Sequence, residues 1–197
     1  MALNTTQARS WWRCWLVMCV QVLLPVAVAT ATVPANSQLV GAREFQVKAV
    51  FLFNFVQFVD WPPEAFESPE SPLVIGVLGA DPFGSFLDES VRGEKVNGRP
   101  LVVERYRTVA DLRPCHLLFV SGSEGREVAR IADAVKGHPT LTVCDWDAFS
   151  RHGVMIRFVM ERNHVRLRIN LEAARAAGLT ISSKLLRSAE IVSTMGE

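Results

Sequence analysis

The stretch closest to a catalytic serine motif is Ser121-Gly122-Ser123-Glu124-Gly125, but it misses the Gly-x-Ser-x-Gly spacing that seats a serine on a strained strand-to-helix turn. The histidines at 116, 138, 152 and 164 are not spaced to converge on one site, so no serine–histidine–acid arrangement can be assembled. A zinc site would need paired Cys/His ligands. The one close pairing is Cys115-His116, and neighbouring strand residues point to opposite faces. The chain therefore reads as a non-enzyme with no catalytic residue, metal or cofactor. Its polar residues suit binding instead. Asp81, Ser121 and Asp145 each follow an apolar run. In a doubly wound sheet such positions lie at the carboxyl ends of the strands, where ligands bind, and together they could line a small polar pocket. Each also has a structural role open to it. The Gly79-Ala80-Asp81-Pro82-Phe83-Gly84 loop lacks the Gly-x-Gly-x-x-Gly pattern, and Pro82 lacks the amide that a phosphate would want. Asp81 as a helix cap with Pro82 at the first helical position accounts for it better.

The elements that carry these residues follow from the hydrophobic pattern. Leu73–Gly79, Leu101–Tyr106, Cys115–Val120 and Thr140–Cys144 are short apolar runs, the pattern of strands buried on both faces. Helices are expected between them over Phe83–Arg92 and from a capping box at Ser121/Glu124 to about Lys136, with Gly137 as the C-terminal stop. Asn97-Gly98 signals a tight turn. Asp145–Ser150 reads as a short helical turn. Val154–Met160 and Val165–Ile169 read as an antiparallel pair joined across Glu161–His164. Asn170 should cap a helix ending at Gly178, and Ser182 or Ser183 a last helix over Lys184–Val192, with Leu185, Ala189 and Val192 on one face. The expected fold is a single three-layer α/β domain: a mixed, mostly parallel sheet with an antiparallel C-terminal edge hairpin, flanked by helices.

Before the first strand, a polar linker is expected over 36–42 and a long helix over Arg43–Asp60, ended by Trp61-Pro62-Pro63. Val47, Phe51, Asn54, Phe55 and Phe58 recur at helical spacing. The ordinary role of such residues is core packing. The alternative is a partly exposed groove wall, with Phe51, Phe55 and Phe58 seating a partner helix. The Asn54 amide, inside so apolar a helix, should find backbone partners in a neighbouring segment.

Arg9 and Arg13 precede an apolar stretch from Trp15 to Ala29 broken only by Gln21, and small residues then offer cleavage sites between Ala29 and Ala35. That order is a secretory signal peptide over 1–35, leaving a mature domain over 36–197 that is not inserted in the membrane. An uncleaved anchor is the alternative, since Cys14–Val33 is nearly long enough to span a bilayer. Without Arg9 and Arg13, 19 basic residues face 20 acidic ones. So near-neutral a domain has no electrostatic footprint for nucleic acid. Hydrophobic residues at 49% and charged residues at 21% exclude a disordered chain. Cys115 and Cys144 remain beyond the leader. At the start of one strand and the end of a parallel neighbour, they lie too far apart for a bridge, which needs Cα atoms within about 7 Å. Both thiols are expected to be free and buried.

Six segments together resemble the YfiR family of periplasmic proteins: Val47–Pro62, Pro72–Gly84, Val96–Val103, Cys115–Glu124, Leu141–Phe158 and Ile169–Ala189, in family order over nearly all of the mature chain. The resemblance implies a non-enzymatic periplasmic regulator that binds the sensor domain of a membrane diguanylate cyclase and holds it off, keeping cyclic-di-GMP low and acting on biofilm formation. It also implies that the C-terminal end, including Leu185 and Leu186, contributes to the partner surface, and it is compatible with a homodimer. The alternative is a small-ligand sensor module feeding another membrane receptor, such as a histidine kinase, through Asp81, Ser121 and Asp145. One position departs from the family. Relatives often carry cysteine in the first strand, where this chain has Gly76, so Cys115 lacks the usual partner.

Overall fold

The computed structural model describes residues 35–146 and 152–192. The expected signal peptide, apart from Ala35, and most of the expected turn over 145–150 lie outside them. The strands follow the apolar runs closely: β2 (Leu73–Leu78), β4 (Arg99–Tyr106), β5 (Leu117–Val120), β6 (Leu141–Cys144), β7 (Ile156–Glu161) and β8 (His164–Asn170). Together with β3 (Lys95–Val96) and β10 (Glu190–Val192), they form one eight-stranded sheet in the order β10-β8-β7-β6-β5-β2-β4-β3. The pairings from β4 through β7 are parallel, and β7–β8 and β3–β4 are antiparallel hairpins. Both hairpins turn on two residues with positive φ, Asn97 (51°) and Gly98 (82°) in one, Arg162 (47°) and Asn163 (65°) in the other. That geometry matches the right-handed twist of the strands it joins. A second, two-stranded antiparallel sheet pairs β1 (Val59–Asp60) with β9 (Thr180–Ile181).

Alternate residues of each central strand enter different cores, as the strand period of two requires. Ile75, Val77, Leu117, Phe119, Leu141 and Val143 pack under α1 (Ala35–Phe58), α2 (Ser85–Val91), α4 (Leu171–Ala176) and α5 (Ser183–Leu186). Val74, Leu78, Leu118, Val120 and Cys144 pack on the other face, against α3 (Val128–Val135). The result is the expected three-layer α/β arrangement with a mixed sheet.

Several boundaries differ from the sequence expectation, each for a local reason. The segment read as a linker is already helical, because α1 begins at Ala35; the same helix ends at Phe58, where Val59 and Asp60 leave to pair with β9. Asp81 does not cap α2. Its Oδ1 accepts the Phe83 amide at 2.7 Å in a turn, and the helix starts only after Gly84, whose φ of 54° closes that turn. Ser121 caps a 3-10 turn over Gly122–Glu124, accepting from the Ser123 amide, and α3 begins four residues later. The last helix is a single turn, Ser183–Leu186; Glu190–Val192 form β10 and pair parallel with β8. The hairpin is therefore not the edge of the sheet.

Gly76 lies in β2 against the ring of Tyr106 and the sulfur of Cys115. A methyl group there would stand 2.8 Å from Tyr106 Cε2, 3.1 Å from Leu118 Cδ1 and 3.2 Å from Cys115 Sγ. Tyr106 is buried and anchored, its hydroxyl donating to Glu104 Oε2 at 2.8 Å. Position 76 thus faces Cys115, and here the tyrosine ring fills the space. Gly76→Ala should overpack this site and cost about 1–3 kcal/mol. Urea denaturation checks it; an unchanged midpoint would show that the ring yields freely.

Candidate functional site

β6 ends at Cys144, so Asp145 emerges at the carboxyl end of the sheet. Lys48 of α1 reaches it there. Its Nζ lies 2.8 Å from Asp145 Oδ2 and 2.5 Å from Glu44 Oε1, one helical turn earlier. The ring centroids of Phe45 and Phe158 stand 4.6 and 5.8 Å from the ammonium. Lys48 is only 4% exposed. A buried ammonium is tolerable only with such compensation. Asp145 is thereby engaged in holding α1 to the sheet.

The other two members of the expected pocket are also engaged within the fold. Asp81 Oδ2 accepts from Arg105 Nε at 2.7 Å, and the same guanidinium donates to Asp88 Oδ2 at 2.6 Å and to the Gly84 carbonyl at 3.1 Å. The hydrogen bond from Arg105 holds the Asp88 carboxyl below its usual range. Ser121 is buried as the cap of its 3-10 turn. Asp81, Ser121 and Asp145 follow the carboxyl ends of β2, β5 and β6, as the pattern implied, and each serves a loop or helix contact of its own.

Two cavities lie at the other ends of the strands. One of about 530 Å³ has Glu64, Asp133, Lys136, His138 and His152 in its lining. A second, of about 370 Å³, is lined by Phe66, Cys115, His116 and His138 among others. His116 binds the loop before β2 to the sheet. Its Nδ1 accepts the Val74 amide at 3.1 Å, so its Nε2 carries the proton and donates to the Ala65 carbonyl, also at 3.1 Å. The ring stacks on Phe66 at 4.5 Å and meets Trp61 edge-on at 6.2 Å. Trp61 Nε1 donates to the His116 carbonyl. Arg99 covers the outer side of Phe66, 3.7 Å from its centroid. Cys115 and Cys144 are both buried, and burial, with Glu104 nearby, pushes the Cys115 thiol up to about 12, which makes it a poor nucleophile at neutral pH.

The aromatic helix presents a different face from the one its spacing suggested. Ala49, Leu52, Phe55 and Val56 are fully buried, whereas Val47 is 45% and Val50 51% exposed, with Phe51, Asn54 and Phe58 half-buried. Phe55 stacks on Phe158 at 5.7 Å in the core and is not available to a partner; Leu185 is likewise buried. Phe51, Phe58 and Leu186 keep part of their surface. The Asn54 amide makes no hydrogen bond among the described residues, and its half-exposed position leaves it to solvent. Sequence reasoning missed Lys48 and His116. A single lysine inside an otherwise apolar helical run was the signal for the first.

Fold and site define a three-layer α/β domain whose strand-end polar groups are tied to its own loops and helices. The chain belongs to the YfiR/HmsC-like family, whose sequence profile matches residues 45–190. No curated protein matches it. Among solved structures, an ABC domain from Streptococcus pneumonia in complex with L-Trp is 10% identical with a TM-score of 0.45, and covers 60% of this chain and 55% of its own. A conserved domain protein from Vibrio cholerae O1 biovar El Tor is 14% identical with a TM-score of 0.46, and covers 60% of this chain and 54% of its own. This chain thus spans about half the length of both. Among the described residues, no helix is long and apolar enough to cross a membrane.

Two outcomes test the ties at opposite ends of the sheet. Asp145→Ala leaves a buried ammonium with one carboxylate, whereas Lys48→Met leaves two carboxylates that reach water. The first should cost about 2–4 kcal/mol and the second clearly less; equal midpoints in chemical denaturation would contradict this. Burial lowers the pKa of His116, against the Ala65 hydrogen bond that raises it, and the Arg99 charge lowers it further. As pH falls below about 6.5, the unfolded chain takes up the proton first. The contribution of His116 to stability is therefore complete above that pH and is lost as pH drops through the lower folded value. Denaturation midpoints between pH 8 and pH 5 should fall in the wild type. In His116→Asn the midpoint should be lower at pH 8 and its further decline smaller; an equal decline would rule out this residue as the cause.

Proposed function

We propose that this protein is a periplasmic regulatory subunit that binds the periplasmic sensor domain of a membrane diguanylate cyclase and represses it. Membership of the YfiR/HmsC-like family across residues 45–190 carries the reading. The leader-like N-terminus supports export, and the internally engaged polar strand ends favour a role that works through the surface. The outward stripe of α1, with Val47, Val50, Phe51 and Phe58, and the neighbouring Leu186 are the apolar groups we assign to partner contact.

A second reading, a small-ligand sensor feeding another membrane receptor, draws on the cavity of about 530 Å³ at the amino ends of the strands. It would move the ligand away from Asp81, Ser121 and Asp145.

Affinity capture of the tagged mature protein from detergent-solubilised envelopes, with mass spectrometry, separates the two. Recovery of a membrane diguanylate cyclase is expected, together with a rise in intracellular cyclic-di-GMP on gene deletion. Capture of a histidine kinase with unchanged cyclic-di-GMP would overturn the repressor reading in favour of the sensor.

A further inference from the structure

We infer that the outer edge of β4 is a strand-addition site, which takes a short extended segment of a partner protein through main-chain hydrogen bonds. This deepens the partner-binding reading and rests on it for the partner's identity, not for the site.

β4 is eight residues long, but β3 covers only Arg99 and Pro100, and one further bond, from the Leu101 amide to the Glu94 carbonyl, closes that end. Beyond it, β4 is paired on its β2 side alone. The direction of each residue follows from the alternation of a strand. The Leu101 amide points outward to Glu94, and the Tyr106 carbonyl points inward to the Gly79 amide. Val103 and Arg105 therefore turn their amides and carbonyls outward, and no strand lies opposite them among the described residues.

Native sheets usually blunt such an edge with charged side chains. On β8, beyond the reach of β10, the exposed Arg166 has that effect. On β4 the charges are drawn away. Arg105 is held by Asp81 and Asp88, and Glu104 accepts from Tyr106. What remains along the edge is Val102, 38% exposed, and the half-buried Val103. Beside it lies a cavity of about 300 Å³ lined by Glu104, Arg105, Tyr106, Asp111 and Arg113. Asp111 is occupied by the amide and hydroxyl of Thr108. The cavity thus offers Glu104 as an acceptor and the exposed Arg113 as a donor, and an amide side chain, Asn or Gln, answers both.

A second copy of this chain suits the edge poorly. The antiparallel register that uses both Val103 and Arg105 sets Glu104 against its own counterpart, and like charges directly opposite are destabilising. The register centred on Val103 needs the Leu101 amide, which Glu94 already holds. The occupant is therefore a heterologous extended segment with apolar residues flanking an Asn or Gln.

Val103→Pro deletes one outward amide without touching the β2 ladder, and proline is tolerated at such edge positions. Val102→Lys guards the same edge by charge. A displayed random octapeptide library is selected on the mature wild-type protein, and binders are re-measured on both variants alongside thermal melting and amide exchange. The expected result is octapeptides that slow exchange at Val103 and Arg105 and bind each folded variant at least tenfold more weakly. A selection yielding none that protects these amides overturns the inference, as does equal binding to the variants. Envelope capture of a diguanylate cyclase that proceeds undiminished with Val103→Pro would keep the repressor reading and remove the β4 edge from it.

Discussion

The placement of α1 depends on one buried ammonium. This helix is apolar on most sides, and burial of apolar surface is non-directional. Hydrophobicity alone leaves its rotation about its own axis poorly determined. Lys48 removes that freedom. Its charge cannot be left buried without a counter-ion, and the counter-ion it finds, Asp145, is fixed at the end of β6. With Lys48 turned to that point, Ala49, Leu52, Phe55 and Val56 must face the sheet, and Val47, Val50 and Phe51 must face outward or to the side. The surface available to a partner is thus a consequence of an internal ion pair.

The opposite ends of the strands are secured by neutral groups. His116 joins the Val74 amide to the Ala65 carbonyl, Thr140 Oγ1 donates to the Cys115 carbonyl, and Thr142 Oγ1 accepts the Met155 amide. These bonds satisfy main-chain groups that irregular segments would otherwise leave buried and unpaired. Between the two ends, packing against the strands is close enough that the missing Cβ of Gly76 is what makes room for Tyr106.

The parts of this fold legible in the sequence were those set by local chemistry. Runs such as Leu73–Leu78 and Leu117–Val120 show strands buried on both faces, and Asn97-Gly98 shows its hairpin. Asn170 caps α4 through its Oδ1 on the Ala173 amide, as its position before the helix implied. Long-range pairing decided the rest. Leu185, Ala189 and Val192 are spaced as one helix face, but the unpaired side of β8 draws Glu190–Val192 into the sheet. In α1 the residues of the buried face, Ala49, Leu52 and Val56, are apolar like Val47, Phe51 and Phe58 of the face that the spacing suggested, so periodicity could not choose between them. Asp81, Ser121 and Asp145 were placed correctly at strand ends, but their engagement with Arg105, the Ser123 amide and Lys48 depends on elements distant in sequence or on a turn that sequence reasoning took for a helix start.

The two margins of the sheet show the same constraint resolved in opposite ways. Every strand needs its outward main-chain groups paired or hydrated. β8 is paired by β10 over Arg168–Asn170, and the rest of its length carries the exposed Arg166. β4 is covered by β3 only at its start, and its later charges are recruited inward: Arg105 stabilises the turn after β2, and Glu104 anchors the tyrosine that packs against Gly76. Each of those contacts strengthens the interior while stripping the edge of its guard. The internal stability of this domain and the openness of its β4 margin therefore come from the same side chains.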